Sequence, residues 1–360
     1  MSSPPGQVPP PPAGPPWGPL PASSPRTSRA TKWVLGGLAL LVVVVVTVVA
    51  TLLFSRNDSS TQVPASTPVG PVADPPATDI ASAQDREPAG IILDEQTCQS
   101  WSPIAAALSA STSSGWDKRD ARIPEANWNE ELREQYRTVG ATLRDVASRS
   151  VELARETPHR VMFRLYSQFI AYSRAYADAI DDYTYQDDSL VGVAISASAA
   201  ITAVCDAITY GSAGARSPLI ARAASTPGLS VLADPDDAEP FLTPQNPICS
   251  QWNSSVATFD GALAEWKLLD PNLSYTDMSP AQRLVMDSVR DPMEAFALEI
   301  QQLGLDSDDP TFSDIATLSA QYLRGYASAV RTYTPADNFL VLAASASSAI
   351  IGEACNAPGI

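Results

Sequence analysis

Apolar residues occur along this chain in three patterns, and each predicts a different kind of structure. Trp33 to Phe54 is an unbroken stretch of 22 residues without a charge, including the run from Val42 to Val46. As a helix rising 1.5 Å per residue it would be about 33 Å long, enough to cross the hydrocarbon core of a bilayer. From residue 94 onward the apolar positions recur every three to four residues, as on the buried face of a packed helix. Leu165, Phe169, Tyr172, Tyr176 and Tyr183 share such a face, and Ile315, Tyr322, Tyr326 and Tyr333 repeat it. Residues 1–32, 55–93 and 210–247 are instead rich in proline or small polar residues and have little apolar surface to bury. Short alternating β-branched runs are absent, so no sheet is expected.

The helical part reads as one unit written twice. Cys98-Gln99-Ser100-Trp101 matches Cys249-Ser250-Gln251-Trp252, a second tryptophan follows in each (Trp116 and Trp266), and each unit closes on Cys205 or Cys355. Between 172–207 and 322–357 the copies align without a gap at an offset of 150, with 16 of 36 positions identical. The shared residues include Tyr172/Tyr322, Arg174/Arg324, Tyr176/Tyr326, Tyr183/Tyr333 and Asp187/Asp337.

Each unit predicts four helices. In the first they fall near 96–113, 128–155, 159–183 and 186–208; in the second near 248–268, 280–303, 310–333 and 335–355. Asn127 with Glu130, Ser279 with Pro280 and Gln282, Asp309 with Pro310, and Thr334 with Pro335 and Asp337 are the expected helix starts. In an up-down-up-down bundle the first helix begins where the fourth ends. That geometry pairs Cys98 with Cys205 and Cys249 with Cys355, out of three pairings that four cysteines allow. The expected fold is all-α: two tandem four-helix-bundle-like repeats (94–209 and 248–360), each closed by a disulfide. They follow a proline-rich tail (1–32), one N-terminal transmembrane helix (33–54) and a flexible stalk (55–93), and 210–247 is the expected linker. The four tryptophans are expected at the bundle ends near the disulfides.

Charge sets the orientation. Arg26, Arg29 and Lys32 precede the apolar stretch, which predicts a cytoplasmic N-terminus and extracytoplasmic C-terminal domains, an oxidising location that permits disulfides. The net charge is −17, and residues beyond 57 hold 19 basic against 40 acidic groups. Such a surface repels phosphate backbones, so no nucleic-acid partner is expected.

Candidate chemistry is sparse. His159 is the single histidine, so histidine-based triads and His-rich metal sites have little to draw on. Glu156-Thr157-Pro158-His159 has the Glu-x-x-His spacing of di-iron bundles, but Pro158 interrupts it and it has no second copy; a helix junction is expected. Asp234-Pro235-Asp236-Asp237 and Asp306-Ser307-Asp308-Asp309 lack the glycine and distal glutamate of a calcium loop, and Asp181/Asp182 and Asp187/Asp188 sit at helix boundaries. All are expected to cap helices or solvate loops. No cofactor, metal or catalytic set is expected. Tyr176 and Tyr326 are expected in the core, the alternative being the wall of a ligand pocket. Arg174 and Arg324 are expected on the outer face, Arg174 paired with Asp178, the alternative being a shared binding role.

The proline-rich head from Pro4 to Pro25, the valine-rich anchor and the Ala/Asp-rich remainder resemble the proline-rich single-pass membrane proteins of mycobacteria and related actinobacteria. This likeness of architecture and composition covers mainly residues 1–93 and implies a cell-envelope location. The expected function is non-enzymatic: an envelope-anchored binding or scaffolding protein whose partner is another envelope protein or a cell-wall component. The alternative is a transmembrane sensor or regulator that binds a ligand outside and a partner through the proline-rich tail.

Overall fold

Helix starts are set by local chemistry. Asn129 accepts a hydrogen bond from the Leu132 amide, Ser279 and Gln282 bond reciprocally as a capping box, and the Asp309 carboxylate accepts from the Thr311 and Phe312 amides. Thr184 with Asp187 and Thr334 with Asp337 form two more capping boxes, 150 residues apart. A computed structural model describes residues 80–224, 232–242 and 246–358. The expected tail, transmembrane helix and residues 55–79 of the stalk lie outside the described residues.

Among the described residues the chain is helical, without strands. The first half contains α1 (Cys98–Thr112), α2 (Glu130–Glu156), α3 (Arg160–Ala179) and α4 (Asp188–Thr209), followed by the short α5 (Ser212–Arg216). The second contains α6 (Ile248–Ala262), α7 (Pro280–Ser288), α8 (Arg290–Asp306), α9 (Pro310–Ala329) and α10 (Asn338–Asn356). Disulfides join Cys98 to Cys205 and Cys249 to Cys355, with Cα atoms 5.5 and 5.4 Å apart. Each ties the start of a half's first helix to the end of its last.

Several expectations need correction. Asn129, not Asn127, caps α2, because residues 125–127 form a tight turn whose first amide bonds the Tyr183 carbonyl. The helix expected over 280–303 breaks at Val289 into α7 and α8. Pro292 lacks the N–H that would bond Ser288, so the ladder cannot run through. The helices expected to run to 183, 268 and 333 end earlier and finish in short 3-10 turns.

The halves are not separate bundles on a string. α4 packs along α10 and α3 meets α9, so one apolar core runs through both halves. α4 and α10 are apolar enough to cross a membrane, yet 78% and 72% of their most apolar windows are buried in this core. They are the central layer of the fold. Leu165, Phe169, Tyr172, Tyr176 and Tyr183 are all buried, as are Ile315, Tyr322, Tyr326 and Tyr333.

The segments before each half's first helix are not free. Ile92 donates its amide to the Tyr322 hydroxyl of the second half at 3.2 Å. At the same offset, the Leu242 amide faces the Tyr172 hydroxyl of the first half. Gln168 accepts from the Phe241 amide at 3.1 Å, and Ile91 fills the space that a side chain on Gly325 would need. Each half therefore lends the other an arm, so 85–93 is no part of a stalk and 232–242 is no loose linker. Ile92→Ala is expected to cost about 2–4 kcal/mol. Its effect on hydrogen exchange should be centred on α9, whereas Leu242→Ala should act on α3. Effects confined to each arm's own half would contradict the exchange.

Candidate functional site

The sequence candidates fall in two environments. Tyr176 lies in an aromatic box at the end of the first half away from its disulfide, with Trp116, Trp128, Tyr136 and Tyr183 around it. Trp116 follows the C-terminus of α1, so the expectation that it packs near a disulfide is wrong; Trp101, in the first turn of α1, does so and donates to Thr202 at 3.0 Å.

The box is filled from within. The Arg119 guanidinium stacks 3.3 Å from the Trp116 ring centroid, donates to the Tyr136 hydroxyl at 3.2 Å and pairs with Asp188. Tyr183 donates to the Ala121 carbonyl at 2.9 Å. Burial first, and the neighbouring Asp188 second, push the Tyr183 phenol far above its ordinary pKa. These phenols stay neutral, and the cation–π position is held by the protein's own arginine.

Tyr326 lies in the corresponding box of the second half, bonded by the Trp266 indole at 3.1 Å and packed edge-on against Tyr333. At the offset of 150 Arg119 becomes Leu269, Asp188 becomes Asn338 and Tyr136 becomes Met286. Trp128 likewise becomes Met278, so the cation, its counter-ion and two aromatic walls are exchanged together for apolar or neutral groups. Both boxes are core.

Arg174 is half-buried and donates to the Asp236 carbonyl at 2.6 Å, holding the second arm on α3. Its expected partner Asp178 pairs with Arg144 instead, because the arm occupies the side of α3 that Arg174 faces. Arg324 donates to the Gln301 side chain within the second half. The structure thus gives both arginines positioning contacts and does not bring them together with the tyrosine boxes.

The acidic runs are also engaged structurally. Arg155 reaches Asp234 and Asp236, both at 2.8 Å, and Asp309 caps α9. His159 precedes α3 and its Nε2 lies 2.8 Å from the Asp94 carbonyl. Among the described residues, no group of three or more His, Cys, Asp or Glu side chains could hold a metal ion.

Two ion pairs absent from the sequence candidates join the halves. Arg160 and Asp314 form a bidentate pair across α3 and α9, both contacts at 2.9 Å, with side chains 4% and 0% exposed. Arg160 also donates to the carbonyls of Asp85 and Glu87 in the first arm. Arg216 of α5 grips Asp337 at 2.8 and 2.9 Å. Neither pair repeats in the other half, so the internal likeness could not reveal them. The paired loss of Arg119 and Asp188 was visible there.

The geometry defines an all-helical, doubly disulfide-closed body of two interlocked halves, whose unusual side chains serve cohesion. Residues 80–359 match the family described as mycobacterial ESX-1 associated protein. The chain belongs to that family. It is also similar to an uncharacterised protein of Mycolicibacterium smegmatis (strain MKD8), with 40% identity over 99% of this chain and 97% of that protein. No solved structure matches.

Proposed function

We propose that the protein is a non-enzymatic, membrane-anchored component of the mycobacterial envelope that binds or scaffolds part of the ESX-1 secretion machinery. The family assignment supports the link to that system. One structural observation carries the non-enzymatic reading: the conspicuous ionisable groups, Arg119, Asp188, Arg160 and Asp314, are paired internally and buried or nearly so. A rigid body of this kind suits presentation of a surface rather than turnover.

The anchor in this reading is Trp33–Phe54, with the preceding basic residues inside and the disulfide-closed body outside. The body consists of two copies of one module. Equivalent capping boxes at Thr184 and Thr334 support this, as do the matching bonds from Tyr183 to Ala121 and from Tyr333 to Pro271. In-cell photo-crosslinking from exposed sites on α2 and α8, read by mass spectrometry, tests the proposal. Components of the secretion apparatus should be recovered from the envelope fraction, and recovery of cytoplasmic proteins alone would refute it.

A further inference from the structure

The seam between the halves holds a carboxylic acid, Glu353, that the ion pairs do not use. Glu353 lies in the last turn of α10 and rests on α4 at Gly192; a Cβ at residue 192 would sit 2.8 Å from the Glu353 carboxyl carbon and Oε2. The absence of a side chain on Gly192 therefore lets the carboxyl group close onto the α4 backbone. Ser189 supplies its hydrogen bond and Asp188 is the nearest charge.

No cation faces Glu353 among the described residues. The charged groups on the elements packed against α10 are committed or remote. On α4, Asp188 pairs with Arg119, and Asp206 lies at the opposite end of the helix. On α5, Arg216 pairs with Asp337 beside the start of α10. On α9, Asp314 pairs with Arg160 and Arg324 bonds Gln301. On α6, Asp260 pairs with Lys267. The C-terminal end of α10's own dipole disfavours a negative charge at Glu353, and the N-terminal end of α4 beside it offsets this.

We propose that Glu353 makes the seam between the halves proton-sensitive. With the carboxyl neutral, α10 closes on α4 at Gly192; with it ionised, the half-buried charge turns out toward solvent and this end of the seam loosens. Burial, opposed by the Ser189 bond and reinforced by Asp188, pushes the carboxyl from an ordinary 4.5 up to about 7. A carboxyl raised in the folded state binds its proton more tightly there than in the unfolded chain. Its contribution to stability is therefore full below about 4.5 and is lost as pH rises through about 7.

The test is amide hydrogen exchange on the full chain at pH 5.5 and 8.5, corrected for intrinsic rates. Protection in 188–195 and 349–356 should fall at least tenfold at the higher pH in the wild type. Glu353→Gln should hold the acid-level protection at both values. A pH-independent wild type, or an unchanged pH response in the variant, overturns the proposal. If the variant does not fold, the Glu353 carboxyl carbon is titrated by NMR in the wild type. A midpoint near 7 sustains the proposal and one near 4.5 refutes it.

Discussion

Asp314→Ala is expected to destabilise the protein by about 3–5 kcal/mol, because it leaves Arg160 buried without its counter-ion. The two side chains are 4% and 0% exposed, so water cannot replace the lost partner. Arg164, whose Nε lies 3.9 Å from Asp314, loses the same charge. The cost comes from stranding charge rather than from the pair's own worth, and the double variant discriminates between these origins. Arg160→Met with Asp314→Leu should recover the share of the loss that comes from Arg160, since apolar groups of similar volume need no solvation, and leave the share that comes from Arg164. Urea unfolding followed by circular dichroism measures both. A loss under 1 kcal/mol for Asp314→Ala would show that water reaches the α3–α9 contact.

Removal of the first disulfide as Cys98→Ala with Cys205→Ala should cost about 4–5 kcal/mol, the loop-closure entropy of 107 residues in the chain-entropy model. The second bridge spans 106 residues and should be worth nearly the same. The manner of unfolding is as informative as the amount. Since α4 and α10 share one core, loss of either bridge should lower a single cooperative transition for the whole body. Two separated transitions in calorimetry would mean that the halves fold independently and that the α4–α10 seam contributes little.

Much of this was legible in the chain. Helical periodicity placed the tyrosine faces in the core, and the internal likeness selected the disulfide pairing that the structure shows. Both signals are carried by residues that recur 150 positions apart. What the sequence left hidden is what the two halves do not share. Arg160 faces Asp314 and Arg216 faces Asp337 across the seam, and their counterparts, Pro310 with Arg164 and Thr184-capping Asp187 without an arginine, give no hint of pairing. The exchanged arms look like stalk and linker in the sequence because 85–93 and 232–242 are too short to show a period. Their backbone bonds to Tyr322 and Gln168 leave no mark on composition, and the few apolar side chains that anchor them, Ile91, Ile92, Phe241 and Leu242, form no pattern. Arg174 misled for a related reason. An Asp four residues on is a sound helix-surface expectation, but an arm from elsewhere in the chain took the position first.

The clasp between Ile92 and Tyr322 spans 230 residues of chain. During synthesis the amino-terminal half is therefore complete in sequence long before Tyr322, the second-half partner of its leading segment, is made. Until α10 emerges, α4 presents to its surroundings the apolar face that α10 will cover. Contacts of such long sequence separation slow folding and prolong exposure of sticky surface. The first half is thus held incomplete while about a third of the chain is made, and a chain halted before α9 lacks the Tyr322 end of the clasp.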